Sequence, residues 1–239
     1  MTQNLNHKKF NTFRQGRVSS RAEVRRQLVM RNNLEKRFYK RLNTLFRKFA
    51  NVQMYLFKEF GIYEANIATR TLNEDLFPLM LSHYRRTFQA IYKSNEEKYT
   101  FGRKNEEAIV FGRSVDFEVV VSNYFNSRQL ILQGISTRMA NRISALIEQG
   151  RADNLTLSQI ASSVSTTFNR ISRSRAALIS RTETHSAASF ANHSYHGIVE
   201  RDLGIKMLKT WVATSDARTR SAHSSASGQT VDMSEDFIV

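Results

Sequence analysis

The chain is expected to be mainly α-helical with a small α+β unit near its C-terminal end, and three features of the sequence lead there. Its 239 residues include one proline and nine glycines, too few turn-formers for a many-stranded sheet but compatible with long helices. Apolar residues recur at steps of three and four over much of the length, which keeps them on one helix face. Only from Lys206 to Thr214 do β-branched and aromatic residues alternate with polar ones, as in a strand. A hydrophobic content of 41% is enough for a buried core.

Residues 1–18 are polar, show no apolar period and read as a flexible basic arm. Ser19 and Ser20 look like an N-cap, with Glu23 completing a capping box with Ser20. The helix that starts there carries Leu34, Phe38, Leu42, Leu45, Phe49, Val52, Leu56 and Phe60 as its apolar face; unbroken to Phe60 it would span about 60 Å. Gly61 offers a stop. A second helix holds Met80, Tyr84, Phe88 and Ile91 at helical spacing, with Pro78 marking its first turn or a kink. Lys93 to Lys104 reads as a polar connection, and Ala108 to Phe111 as a short apolar run that fits strand or helix.

Asp116 caps the next helix, whose inner positions are Ile131, Ile135, Met139, Ile143 and Leu146, and Gly150 closes it. Thr156 and Gln159 form a second capping box before a short helix with Ile160, Val164 and Phe168 inside. Residues 151–155 are the expected domain boundary. A further helix restarts at Ser172 or Ser174 and runs through Arg181-Thr182-Glu183 to about Asp202, where Gly204 ends it. Beyond the strand, Ser215-Asp216 turns into a short helical segment from Arg218 to His223, and Gly228 to Val231 returns as a strand. The expected organisation is thus an arm (1–18), a helical region with a long basic helix (19–150) and a C-terminal domain (151–239).

Charge is unevenly placed. The net charge is +15, and residues 1–60 hold 15 Lys/Arg against three acids, Glu23, Glu35 and Glu59. A basic half-chain of this kind normally meets a polyanion, because each cation that neutralises a phosphate releases a condensed counterion. Nucleic acid comes first as partner, anionic membrane second and an acidic protein surface third. The expected phosphate contacts are Arg25, Arg26, Arg31, Arg37, Lys40, Arg41, Arg47 and Lys48, which would read charge rather than sequence. Zero cysteines exclude a disulfide framework and a thiolate zinc site. No secretory signal and no run of the ~20 apolar residues of a spanning helix is evident. A Gly-rich phosphate loop is also missing: Gly102 and Gly112 sit in a repeated Phe-Gly-Arg whose role the sequence leaves open.

The unusual side chains gather between Arg181 and Phe237. Arg181-Thr182-Glu183 is followed by Lys209-x-Trp211, then Asp216-x-Arg218-Thr219-Arg220, His223, Gly228-Gln229 and Phe237. Two accounts of the residues are open. In the structural one, Arg181, Glu183, Asp216, Arg218 and Arg220 make one mutually satisfied set of charge-assisted pairs beside a plugged Trp211, and such networks are commoner than catalytic ones. In the catalytic one, Glu183 or Asp216 acts with His223 or His185, or the group binds a divalent metal as a nuclease does. His193 and His196 share a helix face, but no His-x3-His signature with a general-base Glu is present.

This ordered combination resembles the C-terminal domain of the Mu F-type phage minor head proteins, also called head morphogenesis proteins, over roughly residues 157–237. Some relatives place a cysteine near the position His223 holds, and the domain usually continues past the phenylalanine into a Gly/Pro-containing loop and a Cys-rich end, so it is expected to be incomplete after Val239. The resemblance implies Arg181, Thr182, Glu183, Trp211, Asp216, Arg218, Arg220, His223 and Gly228 as a structural motif cluster. It also implies a non-enzymatic virion component, made in the host cytoplasm and then attached to the portal protein inside the capsid, that acts in head assembly and genome delivery. Double-stranded DNA, portal protein and a scaffold or major capsid protein are the expected partners, with no membrane, metal or cofactor. The alternative is a metal-dependent nuclease or toxin-like enzyme using Glu183, Asp216 and His223.

Overall fold

The structure, a computed structural model, describes residues 21–100, 117–203, 206–213 and 220–238. Four long helices, α1 (Arg21–Phe60), α2 (Ala65–Thr100), α3 (Phe117–Ala152) and α4 (Leu157–Leu203), precede β1 (Leu208–Thr210), a short α5 (Ser221–Ser225) and β2 (Thr230–Asp232). The protein is therefore mainly α with a small α+β unit near its C-terminal end, as its sequence predicts. The expected arm, the Ser19/Ser20 and Asp116 caps, the Phe-Gly-Arg repeat and the run Ala108 to Phe111 lie outside the described residues.

The helices form an up-down-up-down bundle. α1 packs on α4 and α2, α3 packs on α2 and α4, and α2 meets α4 across the diagonal. Arg31 meets His185 and Arg47 meets Asn169, which sets α1 antiparallel to α4. One hydrophobic core runs through all four, from Phe38 to Ala191. The expected boundary at 151–155 is the connection between α3 and α4, and that core continues across it.

Short turns set this topology. Gly61 ends α1 at φ +68°, donating its N–H to the Phe57 carbonyl at 2.8 Å, a left-handed C-terminal cap that glycine adopts without steric cost. The stop expected at Gly150 lies four residues further on. Asn154 takes the left-handed conformation (φ 53°), with Asn154 N–H donating to the Arg151 carbonyl and Leu155 N–H to that of Gly150, the paired bonds of a Schellman motif. Gly150 itself is helical, and it is glycine because α4 passes close: a Cβ there would lie 2.7 Å from Ile160 Cγ1. The next residues form the predicted capping box, with Thr156 N–H donating to Gln159 Oε1 at 2.8 Å and Gln159 N–H to Thr156 Oγ1 at 3.3 Å.

Four sequence expectations about helices are corrected. α2 extends through Lys93 to Thr100, where a connection was expected, and Pro78 sits inside it rather than in its first turn. The short helix around Phe168 and the one starting near Ser172 are a single 47-residue α4. Ser172 is buried within it, so a residue type that often caps a helix here faces the bundle. Along α1 the apolar stripe follows Phe38, Leu42, Phe46, Phe49, Ala50, Met54 and Phe57 into the core, while Val52, Leu56 and Phe60 are exposed. Two apolar stripes lie side by side on this helix, and the bundle buries the one richer in aromatics. On α3, Leu132 and Ile147 are buried where Ile131 was expected, and Ile131 is exposed. The stripe Met80, Tyr84, Phe88 and Ile91 of α2 is buried as predicted. Among the described residues no helix is long and apolar enough to cross a membrane.

The C-terminal unit is much smaller. β1 and β2 pair antiparallel with Lys209 opposite Val231, and the expected strand from Lys206 to Thr214 shrinks to the three residues of β1.

Candidate nucleic-acid interface

α1 carries its cations on the side its core stripe leaves free. Arg25, Arg26, Arg37, Lys40, Arg41, Arg47 and Lys48 are all exposed, and they share a broad arc because the core positions recur every three or four residues while the basic ones fall between them. Arg41 reaches toward α2, donating to Ser82 Oγ at 3.5 Å, and Arg47 toward α4, donating to Asn169 Oδ1 at 3.1 Å. Arg31 differs: it is half-buried at the α1–α4 seam, with Nη1 3.0 Å from His185 Nδ1. Burial and the neighbouring Arg31 hold His185 below the usual histidine range. Seven of the eight expected phosphate contacts are thus available on one helix, and Arg31 is committed to a helix seam.

The cluster expected around Arg181 divides between the bundle and the C-terminal unit. Glu183 is 2% exposed, facing inward from α4. Arg128 of α3 grips it with two bonds, Nη2 to Oε1 at 2.6 Å and Nε to Oε2 at 3.2 Å, and Tyr84 of α2 donates its hydroxyl to Oε2 at 2.6 Å. A bidentate fork of this kind is what lets a carboxylate sit in a core. Its neighbour Thr184, also buried, pairs through Oγ1 with His83 Nε2 at 2.9 Å, and the His83 ring stacks on Phe38 of α1 at 3.8 Å and 6°. α2, α3 and α4 thus meet at Glu183, and α1 reaches the adjacent Thr184–His83 pair through the ring of Phe38. Burial, then the charges of Arg41 and Arg86, push the His83 pKa down to about 3, and burial with the facing Glu183 raises that of Tyr84.

Arg181, two positions before Glu183 and hence on another helix face, points outward and lies 3.6 Å from Glu35 of α1 with its side chain 77% exposed. Thr182 and Arg220 are exposed, and Asp216 and Arg218 lie outside the described residues. Glu183 therefore has its partners in Arg128 and Tyr84 rather than in Arg181 or Arg220. Buried and bonded through both oxygens, it is poorly placed as a general base, which must reach a substrate proton.

Trp211 anchors the C-terminal unit. Its backbone continues the pairing of β1 with β2, donating to the Gln229 carbonyl and accepting from Gly228 N–H, both at 2.9 Å. Gly228 holds φ +93°, which lets the chain turn back there. The indole N–H donates to the His223 carbonyl at 3.1 Å, and the ring meets Phe237 edge-on at 5.3 Å and His223 at 5.4 Å. His223 thus serves Trp211 through its backbone and its ring. His193 is exposed, and His196 Nδ1 lies 2.7 Å from the Asn192 carbonyl on its own helix. Among the described residues no three potential ligands of the His, Cys, Asp or Glu type come together.

Sequence reasoning missed Arg128, Tyr84, His83 and Thr184. Arg128 stands 55 positions from Glu183 and Tyr84 stands 99, so no local spacing could pair them. The available signal was Tyr84 on a stripe already recognised as buried, since a buried hydroxyl needs a partner.

Residues 141–239 match the family described as Phage Mu protein F like protein. No curated protein and no solved structure matches the chain. The matched segment starts within α3, earlier than the resemblance over 157–237, and so takes in the α3–α4 turn, all of α4 and the C-terminal unit.

Proposed function

We propose, with residues 141–239 taken as a Mu F-like segment, that the protein is a minor head protein of a tailed bacteriophage. In this reading it is a structural component held at the portal inside the capsid, and it acts in head assembly and genome delivery. Its α1 face lies against packaged duplex DNA and binds it without reading sequence. Portal protein is the second partner, and a scaffold or major capsid protein a further one during assembly.

The observation that carries the DNA contact is the exposed basic face of α1. Arg25, Arg26, Arg37, Lys40, Arg41, Arg47 and Lys48 stand along one helix more than two-thirds as long as the bundle's longest. Charges spaced this way match a polyanion in extent rather than a small ligand, and nothing in their arrangement fixes a base edge. The Mu F-like match supports the setting, and the buried, doubly bonded Glu183 supports a structural rather than hydrolytic role.

The test is a salt titration of duplex binding by the purified chain. Log affinity should fall linearly with log salt, with a slope of about −0.9 for each phosphate neutralised. Charge reversal by Arg37→Glu, Lys40→Glu and Arg41→Glu should weaken binding to unrelated sequences equally and flatten the slope by about 3. A salt-independent affinity, or unchanged binding by the triple variant, overturns the α1 contact.

A further inference from the structure

A second concentration of positive charge lies between α3 and α4, apart from the α1 face. Arg138 and Arg142 of α3 and Arg170 and Arg175 of α4 line one groove of about 780 Å³. Neither a carboxylate nor an aromatic ring contributes to its wall. Three bundle arginines have carboxylate partners: Arg85 pairs with Glu118, Arg128 with Glu183 and Arg181 with Glu35. The four groove arginines pair with no described residue.

Like charges at i, i+4 on a helix are mildly unfavourable, so Arg138 and Arg142 gain nothing from each other. Two more guanidinium groups across the groove add to the same positive potential, which an anion would relieve. A guanidinium presents a planar fork of donors that matches phosphate oxygens. Arg138 and Arg142 are about 6 Å apart along the helix axis, so their two forks can reach different phosphates of one backbone. The two pairs face each other across the groove, so its cations form one compact cluster.

The lining narrows the ligand further. Proteins that hold single strands stack bases on aromatic rings, and this groove has none. An acidic amphipathic peptide would need a continuous apolar floor, whereas Met139 is only 3% exposed and the remaining apolar lining, Ala145 and Ile171, is set among four guanidinium groups. A phosphate backbone whose bases are turned away suits a wall of four guanidinium groups best. We propose that the α3–α4 groove is a second phosphate site, which holds one backbone strand of duplex DNA without contacting its bases.

The site adjoins the α1 face around the outside of α4. Asn169, which accepts from Arg47 of α1, immediately precedes Arg170, and the exposed Arg173 lies one turn on. From Leu157 to Thr182, α4 has no acidic residue to interrupt this band. The inference shares with the proposed function the premise that duplex DNA is the ligand, and it assigns that ligand a separate set of contacts.

The experiment uses the full chain and a fluorescein-labelled duplex of arbitrary sequence, with anisotropy titrations over a salt series. Three proteins are compared: the parent, R138Q/R142Q/R170Q/R175Q, and the α1 variant R37Q/K40Q/R41Q. The groove variant is expected to lose roughly tenfold or more in affinity at low salt and to flatten the salt slope by about 3–4, at about 0.9 per arginine. An unchanged slope overturns the groove site. If the α1 variant loses slope while the groove variant keeps it, the proposed function stands and the second site falls; the reverse result removes the α1 contact and keeps the groove. Two further arms test the ligand. Loss of affinity for the separated single strand alone, or for poly-glutamate alone, overturns the assignment to duplex DNA. Should circular dichroism show lost helicity in the fourfold variant, R138Q/R142Q and R170Q/R175Q are measured separately, each expected to remove about half the slope change and overturning the site if neither does.

Discussion

The bundle and the C-terminal unit reach order by different means. The bundle buries a shared core from Phe38 to Ala191 and sets two adjacent polar groups inside it, Glu183 with Arg128 and Tyr84, and Thr184 with His83. The C-terminal unit has two three-residue strands, and Ala226 is its only buried apolar residue among those described. It depends on Trp211, whose indole bonds to His223 and packs against Phe237. A large core can carry a buried charge because its neighbours are fixed in place by packing. A small unit must take its order from one large side chain and a few backbone bonds.

Because the chain's single tryptophan sits in the C-terminal unit, its fluorescence reports that unit while far-ultraviolet dichroism reports the helices. The largest expected effect is on the bundle. Arg128→Leu leaves the Glu183 carboxylate buried with only Tyr84 to support it, which should cost about 3–5 kcal/mol. The dichroism midpoint in urea should fall by the corresponding amount while the Trp211 transition moves less. Coincident shifts of both signals would show one cooperative unit and erase the contrast drawn here.

A middle-sized effect concerns pH. Burial keeps His83 neutral down to about 3, whereas the unfolded chain takes up that proton near the ordinary histidine value of 6.5. Between these values the unfolded state binds more protons, so the bundle loses stability as pH falls, by about 1.4 kcal/mol per pH unit from this group. His83→Gln can keep a hydrogen bond to Thr184 but cannot titrate. Its urea midpoint should therefore depend less on pH between 6 and 4 than that of the parent; equal dependence would mean that His83 is not held neutral.

The smallest effect falls on the C-terminal unit. Gly228→Ala adds a Cβ that meets nothing within 4 Å, so its cost is the strain of φ +93° alone, about 1 kcal/mol. Trp211 fluorescence should report the loss while the helical signal stays at its parent midpoint. A shift of the helical midpoint would tie Gly228 to the bundle.

By itself the sequence determined the fold class, the buried face of α2, the Gly61 stop and the Thr156–Gln159 capping box. Each depends on side chains within a few residues of one another, and local spacing carries that information. It also placed seven exposed cations on α1, since residues left off a buried stripe must face outward. Only the tertiary structure decided which of two apolar stripes α1 buries, why position 150 needs a glycine against Ile160, and that Ser172 lies inside one long helix. The same holds for Glu183. Its neighbours in sequence suggested Arg181 and the loop arginines, but a helix turns about 100° per residue, so Arg181 faces outward to Glu35 while Glu183 faces the core. Its partners come from helices 55 and 99 positions away, a distance that only packing can close.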